Sequence, residues 1–199
     1  MRKPKKSILK IYGALFCIIA LGICIIFLAV KDKNPESAEV TVFDKPRLIN
    51  PFQITTATSK FTEKDLIDHW TFLLFGYTHC SDVCPENLNL LKHVYQQLSG
   101  QYKNLQILFI SLDESDSAED VSHYASSFNN NFIGATGTQQ EMQQLQQQFG
   151  IFAQADKSNN IQHSSSILLI NPQAKWVALL PYGTPASQII TTFNKIAGA

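Results

Sequence analysis

The sequence predicts an α/β fold, a mixed central sheet flanked by helices, preceded by one membrane-spanning helix. Three observations carry that reading. Residues 11–30 run without a single charge. Two largely apolar stretches of strand length, residues 70–77 and 105–112, each lead into a segment whose apolar residues recur at helical spacing. Near the C-terminus, residues 167–170 and 176–180 flank a turn in the manner of an antiparallel hairpin. Lys+Arg 16 against Asp+Glu 16 leaves a formal net charge of zero in a chain of 199 residues, which gives nucleic-acid binding no basic surplus to work with.

The uncharged run, IYGALFCIIALGICIIFLAV, is long enough at 1.5 Å per residue to cross roughly 30 Å of hydrocarbon. Arg2, Lys3, Lys5, Lys6 and Lys10 precede it, whereas Lys31 and Lys33 are offset by Asp32 and Glu36, so the charge bias places residues 1–10 in the cytoplasm and the remainder outside. A cleaved signal peptide is the alternative, but the run exceeds the usual h-region and no small-x-small site follows it. Acylation at Cys24 is disfavoured by the bulky Ile23 before it. Residues 31–48 mix charge with Pro35 and Pro46 and show no sustained apolar period, which reads as a linker to a domain at 49–199. Cys17 and Cys24 act as small apolar residues within the run, leaving Cys80 and Cys84 as the thiols beyond it.

Taken in order, PFQITTA and SKFTEKDL predict a short hairpin and turn, and WTFLLFGY a buried central strand. Leu88, Leu91, Val94, Tyr95 and Leu98 then define a helix, with Pro85 in its tolerant first turn and Gly100 closing it. A second buried strand, LQILFISL, is followed by Asp113, Ser115 and Asp116 as capping residues for a helix with Val121, Tyr124, Ala125 and Phe128 inward. Phe132 and Ile133 form a short apolar pair before the turn ATGT. In the glutamine-rich helix after it, Met142, Leu145 and Phe149 make the buried stripe and the glutamines the solvated face. A polar loop at 156–160, the hairpin, and a helix from Pro185 through Ile189, Ile190, Phe193 and Ile196 complete the chain. That succession is the element order of a thioredoxin-like fold. No glycine-rich phosphate loop and no nucleophile elbow occurs.

The chemistry concentrates in FGYTHCSDVCP. A strand handing over to a helix sets both thiols at a helix N-terminus, where partial positive charge favours thiolate over thiol, most of all at Cys84. Ser81, Asp82 and Val83 separate the two, wide enough to admit an ion between the sulfurs and close enough for a disulfide. A purely stabilising bridge gains least across so short a loop. Soft thiolates select Cu(I), Zn(II) or iron–sulfur clusters, and with no further cysteine in the domain a third ligand must be another side chain. Among His69, His79, His93, His123 and His163, the last falls in the loop that this fold brings toward the strand–helix junction. His79 is adjacent to Cys80 and would strain a chelate, His93 lies about two turns or more along the helix, and His123 has no route to the site. Two thiolates and one imidazole suit Cu(I) and accommodate Cu(II) with an added ligand, whereas zinc usually asks for a fourth.

FGYTHCSDVCP, FISLD, FIGATGT and QHSSSILLINPQ, spread in order over about residues 50–198, resemble the Sco/SenC/PrrC family of copper proteins involved in assembling cytochrome c oxidase. The resemblance implies Cys80, Cys84 and His163 as metal ligands and copper as the bound ion. It implies delivery of copper to the CuA centre of oxidase subunit II, or reduction of that centre's cysteines by the redox-active pair Cys80 and Cys84. Other periplasmic copper chaperones or thiol-disulfide reductases join the implied partners. Three departures stand out: Ser81 replaces a common proline, Gln162 replaces a common aspartate beside the histidine, and the stretch after FISLD is shortened and lacks its proline. A neutral amide at Gln162 alters the tuning of the histidine next to it. A copper chaperone is the leading expectation and a thiol-disulfide oxidoreductase the second. A copper or redox sensor has no sequence feature of its own, and a peroxidase lacks an arginine near the thiols. With so few residues before the apolar run to form a long presequence, the expected location is a bacterial inner membrane with the domain in the periplasm.

Overall fold

The computed structural model describes residues 39–155 and 161–198; at 153–155 and 161–163 it describes the backbone only. The basic segment 1–10, the expected membrane helix at 11–30 and the first part of the expected linker lie outside the described residues. Among the described residues no helix is long and apolar enough to cross a membrane.

The strands are β1 (Thr41–Leu48), β2 (Gln53–Thr56), β3 (Lys60–Thr62), β4 (Trp70–Gly76), β5 (Leu105–Ser111), β6 (Phe132–Thr136), β7 (Ala153–Ala155), β8 (Ile161–His163), β9 (Ile167–Asn171) and β10 (Lys175–Leu180). The helices are α1 (Val83–Leu98), α2 (Ala118–Phe128), α3 (Gln139–Phe149) and α4 (Ala186–Ala197). Eight strands form one mixed sheet in the order β1-β10-β9-β4-β5-β6-β2-β3, while β7 and β8 pair separately. β4, β5 and β6 run parallel, and β9 lies antiparallel beside β4.

β4 shows why the sheet is layered. Its side chains alternate between two cores: Phe72 and Leu74 join α1, α2 and α4 on one face, and Leu73 and Phe75 join α3 and the β2–β3 hairpin on the other. Both faces are covered, so the strand is apolar throughout rather than alternating with polar residues. α3 buries Met142, Leu145 and Phe149, starts with a capping box between Thr138 and Glu141, and ends at Gly150, whose φ of 63° is left-handed.

Two expectations need correction. Thr41–Leu48 is not linker but an edge strand paired antiparallel with β10. It lacked an apolar period because nearly all its side chains are exposed. Its hold on the domain is local: Phe43 meets Trp176 edge-on at 4.8 Å, and the Arg47 guanidinium lies 4.0 Å from the Phe43 ring centroid. The apolar pair Phe132 and Ile133 is likewise the start of a longer strand, since β6 runs on through Gly134, Ala135 and Thr136.

Candidate metal centre

The site begins where β4 ends. Gly76 is its last residue, and a Cβ there would stand 2.7 Å from the Cys84 sulfur and 2.7 Å from the Phe109 ring. Only a residue without a side chain lets the strand end approach the thiol so closely. After the turn closed by Cys80 N–H on Tyr77 O (3.3 Å), α1 begins and carries Cys84 in its first turn. Cys80 and Cys84 are both in the thiol form, with no disulfide between them.

Their surroundings differ. Cys84 is 1% exposed, whereas Cys80 is half-buried. The Cys84 N–H donates to Cys80 Sγ at 3.4 Å, so an amide of the first helical turn serves the Cys80 sulfur. Burial, and then the hydrogen bond with Cys80, push the Cys84 thiol far above its ordinary range, although a backbone hydrogen bond at Tyr77 works the other way. This runs against the expectation that Cys84 gains most from the helix N-terminus: burial is the largest influence on its thiol, and the first-turn amide points to Cys80 instead.

Asp116 is the residue that sequence reasoning misplaced. It does not cap α2; Ser117 does, accepting from Asp120 N–H at 3.1 Å. Asp116 is 6% exposed and ties three segments together. Its Oδ2 accepts from Thr78 N–H at 2.9 Å and from Ser111 Oγ–H at 2.6 Å, and its Oδ1 accepts from the Thr78 hydroxyl. His79 Nδ1 stands 3.7 Å from the same carboxylate. The cysteine loop is thereby fastened to the end of β5. His79, Asp113 and Asp116 offer ligand atoms within 4.8 Å of one another, but both oxygens of Asp116 and Oδ1 of Asp113, which accepts from Ser115, are already engaged in hydrogen bonds.

Of the other histidines, His69 lies at the opposite end of β4 from the cysteines, its Nδ1 2.8 Å from Ile67 O, and His93 and His123 are exposed on α1 and α2. His163 ends β8, its backbone paired with Ala153; its side chain lies outside the described residues. The chain beyond it is held to the cysteine helix. Asn87, 2% exposed and on α1 just after Cys84, donates from Nδ2 to Ser165 O at 2.9 Å. Ser164 N–H donates to Phe152 O at 3.0 Å, closing the β7–β8 pair beneath it. The backbone after His163 is thus bonded to the helix that carries Cys84. Nothing in the local sequence around Asn87 announces this, because its partner is 78 residues away.

Two thiols of unequal exposure at a strand–helix junction, on a mixed sheet covered by helices, define a thioredoxin-like domain with a paired-sulfur site. The SCO1/SenC family model matches residues 41–198, a span that begins with β1. The chain belongs to the SCO1/SenC family. It is 32% identical over 142 residues to the mitochondrial SCO1 homolog of Homo sapiens, across 67% of this chain and 47% of the human protein's length. It is 28% identical over 164 residues to a putative copper-binding protein of Stutzerimonas stutzeri, covering 78% of this chain and 80% of that one. The copper-bound structure of ScoI from Arabidopsis thaliana superposes with a TM-score of 0.71 at 26% identity, covering 75% of this chain and 98% of that chain.

Proposed function

We propose that this chain is a membrane-anchored copper chaperone that holds copper on Cys80, Cys84 and His163 and supplies it to the CuA centre of cytochrome c oxidase subunit II. The observation that carries the reading is the pair itself: a buried sulfur and a half-buried one, 3.4 Å from amide to sulfur across the first helical turn. Two soft donors of this kind fit Cu(I), and the exposure of Cys80 gives an acceptor's thiols a place to enter by ligand exchange. Family membership and the copper-bound structure of its Arabidopsis relative support the choice of ion. Residues 11–30 anchor the chain in a bacterial inner membrane, with the domain in the periplasm.

A second reading, reduction of the CuA-site cysteines or of other extracytoplasmic disulfides, draws on the same pair, since the spacing of Cys80 and Cys84 also permits a disulfide. His163 separates the two. In the reduced full-length chain, His163→Ala is expected to lose tight Cu(I) binding against a competing chelator while Cys80 and Cys84 still oxidise to a disulfide. Unchanged copper affinity in that variant sinks the three-ligand site.

A further inference from the structure

Among the described residues, one buried side-chain polar atom has no hydrogen-bond partner: the phenol oxygen of Tyr124. Native folds rarely leave such a group unpaired unless something arrives to meet it. Its position is constrained by aromatic packing, with ring centroids 5.4 Å from Phe109 and 5.4 Å from Phe128. Phe109 is also the ring that, with the Cys84 sulfur, closes over Gly76. Tyr124 and Cys80 both pack against the core cluster that contains Cys84. Burial, and then the charges of Cys84, Cys80, Asp116 and Tyr77, hold the phenol above its ordinary range, so it stays a hydrogen-bond donor at physiological pH.

A thiol is a poor acceptor and a metal-bound thiolate a strong one. Negative charge on the buried Cys84 sulfur gains from a further donor, because charge out of water is costly unless it is well hydrogen-bonded. From these placements we infer that Tyr124 Oη–H donates a hydrogen bond to the Cys84 sulfur when that sulfur acts as an anionic metal ligand, making Tyr124 a positioning residue for the loaded state. The inference rests on the metal-binding reading of the cysteine pair. It gives the resting protein an idle donor that is used only when a soft cation is bound.

The test is Tyr124→Phe in the reduced full-length chain, which keeps the ring and removes only the hydroxyl. Three readouts are taken: the thermal midpoint of the metal-free protein, affinity for Cu(I) alone and for Cd(II) alone against a chelator, and the sulfur-to-Cd(II) charge-transfer absorption. The expected result is a metal-free midpoint equal to or above the parent's, since no paired group is lost, with both affinities down about tenfold and the absorption band shifted. Equal affinities and an unmoved band in variant and parent overturn the inference. So does a lower metal-free midpoint, which means that the hydroxyl is already bonded at rest. If the parent binds Cd(II) but not Cu(I), the copper proposal fails while the Cd(II) comparison still decides the role of Tyr124.

Discussion

Cys80 and Cys84 share one loop, yet their sulfurs meet different surroundings, and this has a consequence for pH. In an unfolded chain a thiol ionises near pH 8.5, roughly. In the fold, burial and then the Cys80 hydrogen bond keep Cys84 protonated far above that. At pH values above roughly 8.5 the unfolded state therefore binds fewer protons than the folded state, and stability falls as pH rises; below that value the contribution is fully present. The reduced, metal-free chain is expected to lose up to about 1.4 kcal/mol per pH unit over the alkaline range. Urea midpoints measured from about pH 8 to about pH 10 should decline in the parent and flatten in Cys84→Ala. A parent profile as flat as the variant's refutes the buried thiol. The cysteine pair was legible in the sequence because its spacing is local. The burial of Cys84 was not, since it depends on Gly76 and Phe109 from two different strands. Asp116 read as a cap because a local pattern cannot show a hydrogen bond to Thr78, 38 residues away.

Among the elements, those buried on both faces were the ones most readable from sequence. β4 and β5 are near-continuous apolar runs, and α1 and α3 show their buried stripes at helical spacing. β1 escaped notice for the opposite reason: an exposed edge strand needs no apolar alternation, and its pairing with β10 joins opposite ends of the domain. The most consequential contact between elements is Asn87 on α1 with Ser165 O. Without it, a part-buried carbonyl loses its donor, a cost of at most about 1–3 kcal/mol, and the backbone after His163 loses its tie to the cysteine helix. Asn87→Ala is expected to speed amide hydrogen exchange at residues 164–166 and to weaken Cu(I) binding, while disulfide formation between Cys80 and Cys84 continues. Exchange at those amides as slow as in the parent argues against the contact as the tether of the His163 segment.

Across the whole domain, the site falls where the sheet changes character. β4 lies between parallel β5 and antiparallel β9, and the cysteine loop leaves its carboxyl end. Open α/β sheets commonly place ligands at the carboxyl ends of strands where the connection pattern reverses. Here that position gathers the end of β4, the start of α1, the loop after β5 and the chain before β9. If the site serves a membrane-bound acceptor as proposed, the domain must lie on the acceptor's side, and the proposed topology of residues 11–30 becomes part of the function. Five basic residues stand before the apolar run, while Lys31 and Lys33 behind it are balanced by Asp32 and Glu36. On the proposed reading, the positive-inside bias would retain the N-terminus and export the chain on the far side of the run. A reporter enzyme that requires disulfides, fused after residue 40, is expected to be active in cells, because only an oxidising compartment lets its bridges form. Replacing Arg2, Lys3, Lys5, Lys6 and Lys10 by glutamine should reduce that activity by weakening the orientation signal. Full reporter activity after that replacement would mean that basic residues do not orient the segment, and an inactive parent fusion would put the cysteine pair on the cytoplasmic side.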